Sequence, residues 1–339
     1  MWAISAINPS PVRGSHILAD SQPIPRCSFL LYAGGLGRRH YSVSDLVDMV
    51  AVVDTADHPV GWLCPGILLT EIRATSGRYY YPFPGVSAKG QDWNAYLDSL
   101  FTARGALPSL DSAVALVAAQ HGPAPGGFRV TLMIPYPARA SDTVWIGHRP
   151  FLPMGEEQRR ALAAAYVDEV ERRFSDAHLS HLTLFAYYWL NEDIRPDDSL
   201  LVQQTAAVVH QRGRRFVWIP YFHSAGNLQW RRWGFDYAWL QPNYFFHPEV
   251  PVTRFDSALT YARTADMGIE LEFDPRIFSD WRFMDRLEPY LSAVENATDI
   301  RAKPITVYEG GGALIRLARS ADPWHRALYT RLVAVLRSP

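Results

Sequence analysis

Short apolar runs alternate along this chain with longer stretches whose apolar positions recur every three or four residues. The runs cover 29–35 (FLLYAGG), 61–71 (GWLCPGILLTE), 128–136 (FRVTLMIPY), 181–190 (HLTLFAYYWL), 215–222 (RFVWIPYF), 237–246 (YAWLQPNYFF), 268–273 (GIELEF) and 303–308 (KPITVY). Their length and β-branched or aromatic content predict strands. The intervening stretches predict helices near 43–54, 93–101, 110–121, 155–177, 197–211, 253–265, 278–296 and 323–337. Eight strands alternating with helices predict parallel βα units. Seven or nine would suit an open doubly wound sheet, whereas eight predict a single (β/α)8 TIM barrel. The spacing places long loops after the second and third strands. Residues 1–26, rich in Pro and Ser, read as a leader, and 27–339 as one barrel without an internal linker.

Composition narrows the partners. The 33 Lys+Arg against 34 Asp+Glu give a formal net charge of −1. That balance lacks the basic excess expected of a nucleic-acid or anionic-membrane partner. No window approaches the 18 apolar residues of a membrane span. The start lacks the basic segment of a signal peptide, which predicts a cytoplasmic protein, or a secreted one from which such a peptide has been removed. Two cysteines, Cys27 and Cys64, are too few for a disulfide framework. Aromatic residues reach 13%. Core packing accounts for many of them, and a cleft of rings that stack on sugar faces would account for the rest.

In a barrel of this kind the chemistry sits at the C-terminal ends of the strands, so the polar residues that end each run matter most. The seventh run reads Gly268-Ile269-Glu270-Leu271-Glu272-Phe273-Asp274. Side chains alternate faces, which sends Ile269, Leu271 and Phe273 toward the helices and Glu270, Glu272 and Asp274 toward the lumen. Carboxylates buried there without partners are costly, and an active site is the stronger explanation. Asp274 precedes Pro275 and is expected to cap the following turn. The fourth run ends Asn191-Glu192, the fifth Tyr221-Phe222-His223, and the sixth offers Trp239, Gln241 and Asn243 on one parity. The loop 78–83 (RYYYPF) and Trp93 are candidates for an aromatic rim.

Asn191-Glu192 at the end of strand four, taken with a glutamate on strand seven, resembles the clan of TIM-barrel retaining glycoside hydrolases. The resemblance implies Glu192 as acid/base, Asn191 as a partner of the sugar 2-hydroxyl, and Glu272 or Glu270 as nucleophile. Height along the strand favours Glu272, with Glu270 one layer down and bonded to a polar partner. Tyr244 matches the aromatic residue that the clan often carries near its nucleophile, and Gln241, Asn243, Tyr221 and His223 become candidate sugar contacts. The segments YYWLNED, WIPYFHSAGN, GFDYAWLQPNY and GIELEFD also resemble a bacterial domain family of unknown function. The implied partner is a carbohydrate substrate and the implied mechanism needs no cofactor.

Other motifs carry less. Gly35-Leu36-Gly37-Arg38-Arg39-His40 has two glycines of a dinucleotide fingerprint, but His40 replaces the third. The turn Gly310-Gly311-Gly312 could cradle a phosphate, which keeps a sugar-phosphate isomerase or lyase as an alternative beside a non-catalytic glycan-binding barrel. The 11 histidines show neither HExxH nor HxH spacing, so no metal site is expected.

Overall fold

The structure, a computed structural model, describes residues 23–82, 86–140 and 142–337. Eight parallel strands form the barrel: β1 (Cys27–Tyr32), β2 (Gly66–Thr70), β3 (Phe128–Ile134), β4 (Leu182–Trp189), β5 (Arg215–Trp218), β6 (Tyr237–Leu240), β7 (Gly268–Glu272) and β8 (Ile305–Tyr308). β8 pairs with β1 and closes the ring. Helices between the strands cover its outer face, among them Glu156–Asp176 after β3, Ser199–Gln211 after β4 and Trp281–Asn296 after β7. The fold is the (β/α)8 barrel that the alternating pattern predicts. The expected leader, up to residue 22, lies outside the described residues.

Two predicted elements differ in detail. The first helix ends at Val50 rather than 54, because Ala51–Val53 pairs antiparallel with Pro59–Trp62. That hairpin takes the front of the second apolar run, and β2 begins only at Gly66, after Cys64-Pro65. Cys27 and Cys64, too few for a framework, are bonded to each other, with their Cα atoms 5.2 Å apart. The bridge ties the start of β1 to the segment that enters β2. The long loops after β2 and β3 are present, and the second carries a small hairpin, Val144–Ile146 with Arg149–Phe151.

Register decides which side chains enter the lumen. Along β2 and β3, Leu68 pairs with Thr131, and along β7 and β8, Glu270 pairs with Thr306 and Glu272 with Tyr308. β4 contains a bulge. Val130 pairs with Leu184 but Thr131 pairs with Ala186, so Phe185 has no partner on β3. One extra residue reverses the alternation beyond it. Thr183 stands on the lumen side before the bulge, and Ala186, Tyr188 and then Glu192 follow after it. With Phe185 in register, plain alternation from Thr183 would aim Glu192 at the helices.

The bottom of the barrel is plugged. Trp239 is buried, and its indole N–H donates to the Pro304 carbonyl at 3.1 Å. A Cβ on Gly268 would sit 2.7 Å from that indole, so this strand position has to be glycine. Trp239 is core rather than a stacking platform. Trp93, a rim candidate, is also core, edge-on to Tyr166 at 5.4 Å. Phe83 lies outside the described residues.

Candidate active site

Above the plug, at the C-terminal end of the strands, opens a cavity of about 300 Å3. Its wall carries Glu192, Glu270 and Gln241, together with Tyr32, Tyr188 and Tyr308 and with Tyr79 and Tyr81 from the loop after β2. Among the described residues, no Lys, Arg or His lines it. Tyr32 and Tyr308 meet edge to face at 5.6 Å, and the Arg38 guanidinium lies 4.3 Å over the Tyr32 ring. Arg38 is itself held in a fork by Glu71, with Nε and Nη2 at 2.9–3.0 Å from the carboxylate oxygens. Its charge is therefore spent on Glu71.

Three glutamates meet in and behind this wall. Glu192, just past β4, accepts no hydrogen bond from the described residues. Burial first, and then the charge of Glu272, push its carboxyl up to about 7. Glu272 is fully buried, level with Tyr308, and is set behind the wall rather than on it. Its Oε2 accepts from the Tyr290 hydroxyl on helix Trp281–Asn296 and from the Tyr244 amide at 3.3 Å. Its Oε1 is buried with no partner. Burial raises its carboxyl to about 7 against the pull of those donors, the Phe245 amide and Gln241. Glu270, one layer lower, is 2% exposed, faces the cavity and has neither hydrogen bond nor ion pair among the described residues. Burial, then Glu272 and Glu192, drive its carboxyl well above the usual range.

The surroundings of the two β7 glutamates are thus the reverse of the sequence expectation. The partner-bonded carboxyl is Glu272, and the lower one, Glu270, stands bare on the cavity wall. The helix after β7 supplies the reason. It reaches across the strand end, where Tyr290 takes Glu272 and Arg286 donates to the Tyr244 carbonyl. The same guanidinium lies 3.6 Å over the Tyr244 ring, so Tyr244 is a fixed neighbour of Glu272.

The remaining candidates divide. Tyr221 bridges to Gln241 above β5 and β6; burial, Asp193 and then Glu192 raise its phenol. Asn191 folds back on its own loop, its amide donating to the Asp193 carbonyl at 2.6 Å, away from the cavity wall. His223 and Asn243 occupy left-handed turns with φ of 74° and 51° and do not line the cavity. His223 is exposed against Phe222, ring centroids 3.9 Å apart. Asp274 caps the turn after β7, accepting from the Arg276 amide at 2.9 Å.

Two set-aside motifs have structural uses. A Cβ on Gly35 would fall 2.1 Å from the Glu71 carboxylate, so the first glycine of the 35–40 motif lets the chain pass over Glu71. After β8, the amides of Gly312 and Leu314 point at Glu309, at 2.8–3.2 Å. The Gly310–Gly312 turn therefore wraps a side chain of this protein instead of cradling a phosphate. Glu71, Arg38 and Glu309 were missed by sequence reasoning. For Glu71 and Glu309 the signal is position alone, one residue past a strand end; Arg38, six residues past β1, carries no such signal.

A closed (β/α)8 barrel with a carboxyl- and tyrosine-lined cleft at the C-terminal ends of its strands is the class that fold and site define. A family model described as a domain of unknown function, DUF4855, matches residues 28–334, and the chain belongs to that family. No curated relative matches the sequence. Among solved structures, the chain is similar to CldA, described as a cyclomaltodextrin glucanotransferase with a three-domain ABC distribution. The identity is 9% and the TM-score 0.46, over 93% of this chain and 80% of that one.

Proposed function

We propose that the protein is a glycoside hydrolase that cleaves an oligo- or polysaccharide with retention, Glu192 serving as acid/base and Glu272 as nucleophile. The observation that supports this most is the coupling of these two carboxyls under unlike environments. Burial raises both to about 7, but Glu192 has no donor among the described residues and so is the better placed to protonate the leaving oxygen, while Glu272 has donors that favour its anion. In the first step Glu272, reached once the Gln241 side chain that bonds it on the wall moves aside, attacks the anomeric carbon as the glycosidic C–O bond breaks and Glu192 gives its proton to the departing oxygen. In the second, Glu192 takes a proton from water, whose oxygen displaces Glu272 and restores both groups. Tyrosine faces around the cleft suit sugar rings. The Cys27–Cys64 bridge supports an exported protein, since such bonds persist in oxidising compartments.

A second reading, a glycan-binding barrel without catalysis, is favoured by one observation. Asn191 spends its amide on Asp193, where the hydrolase clan would aim it at the sugar. A screen of aryl glycosides and a polysaccharide panel decides. Hydrolysis with the retained anomer seen first by NMR supports the proposal. Binding without cleavage selects the second reading, and an inverted first product would refute the nucleophilic role of Glu272.

A further inference from the structure

We infer that the substrate carries a free ammonium group, as in an amino sugar that is not N-acetylated, and that Glu270 is the residue that pairs with it. The inference deepens the glycosidase reading and rests on it for the sugar scaffold, while the charge argument stands on the cavity alone.

Double displacement uses two carboxyls, Glu192 and Glu272. Glu270 is left over. It is 2% exposed, stands on the cavity wall and has no partner. A carboxyl so little exposed loses most of its hydration, and among the described residues no neighbour bonds it. The nearby cations are committed elsewhere: Arg38 to Glu71, Arg39 to Asp45, and Arg195 to Asp193. What else lines the cleft is tyrosine, Thr70, Gln241 and aliphatic surface.

Such a cleft discriminates by charge. A uronic acid or sulfated sugar would find no cation on that wall to receive its anion, only carboxyls, phenols, Thr70, Gln241 and aliphatic surface. A neutral sugar would leave Glu270 as it is. A primary ammonium supplies three donors, gives Glu270 a charge-assisted bond, and comes among Tyr32, Tyr188 and Tyr308 of the wall, whose rings and hydroxyl oxygens suit a cation. Burial pushes the Glu270 carboxyl above its usual range, and an ammonium beside it would favour the ionised form.

Binding is measured by calorimetry on the Glu192→Gln protein, so that cleavage does not intrude. The probes are glucosamine and galactosamine oligosaccharides, their fully N-acetylated forms and the neutral parent oligosaccharides. The free-amine member of one series should bind roughly 10- to 100-fold tighter than its acetylated form, the range of a hydrogen bond to a charged group. Adding Glu270→Gln should collapse that ratio toward one, whereas Glu270→Asp, which keeps the charge, should retain part of it. Circular dichroism melts establish that each variant is folded. Equal or weaker binding of the amine forms overturns the inference, as does failure of every probe to bind. If the ratio appears but the native protein cleaves none of the probes, the inference stands and the hydrolase reading falls. If neutral glycans are cleaved and amines are not preferred, the reverse holds.

Discussion

Glu192 is the side chain whose loss should be read most easily. Glu192→Gln keeps the shape of the group and removes its proton, so kcat/KM on a natural glycoside should fall by about 100-fold or more. Aryl glycosides with good leaving groups need less acid assistance and should lose less. Equal losses on both, or none, would remove the acid/base role. Because Glu192 and Glu272 feel one another, their protons leave in two steps that belong to the pair, and activity requires the singly protonated state. The profile of kcat/KM should be bell-shaped with its alkaline limb near pH 7, and Glu192→Gln should abolish that limb. For the nucleophile, Glu272→Gly with added azide should yield a glycosyl azide; rescue in Glu270→Gly alone would transfer the role to Glu270. Glu270 and Glu272 were legible because parity along β7 is unbroken, and Glu192 because it ends the fourth run beside Asn191. Their partners were not, since Tyr290 lies 18 residues beyond Glu272 on a helix whose reach over the strand end no local pattern encodes. Asn191 was misread for a related reason: a short amide side chain in a loop often bonds its own backbone first.

At the scale of elements, the alternation of runs made the barrel readable, but the aim of its fourth strand was not. Glu192 faces the lumen only because Phe185 bulges out of register with β3, and nothing in HLTLFAYYWL marks Phe185 over its neighbours. Parity counted backwards from Glu192 through the strand would have put Thr183 on the wrong face. β7 has no such break, which is why GIELEF could be read directly. The disulfide was equally hidden, because 37 residues of separation say nothing about distance. It joins β1 to the entry of β2 and closes the helix and hairpin between them into one loop. The chain-entropy estimate for a loop of that length is about 4 kcal/mol. The Cys27→Ser/Cys64→Ser protein should lose about that much in urea unfolding, and reductant should lower the midpoint of the native protein but not of the variant. An unchanged midpoint in both would show that the bridge adds nothing to stability.

For the whole molecule, the same carboxyls that suggest chemistry should set how stability varies with pH. Glu192 and Glu309 are each raised to about 7, chiefly by burial, and Glu270 is raised well above the usual range too. An unfolded glutamate titrates at ~4.3. Between those values the folded chain holds protons that the unfolded chain has released, so stability falls as pH rises through the window. Other carboxylates act with the opposite sign. Arg172 lowers Glu169, Arg331 lowers Glu288 and Lys303 lowers Asp266. Their contribution is present above the unfolded carboxylate range and lost as pH falls through their folded values. The two limbs together place the maximum of Tm near pH 5, below neutrality. The alkaline limb belongs largely to the cleft, where polar groups are poised for substrate at the expense of the fold. Glu192→Gln/Glu270→Gln should therefore melt a few degrees above the native protein at pH 8, match it near pH 4.5, and flatten the decline between. Differential scanning calorimetry from pH 4 to pH 8 provides the comparison. A native Tm that climbs steadily from pH 5 to pH 8, or a double variant that melts lower at pH 8, would mean that these carboxyls are not the strained groups their burial makes them.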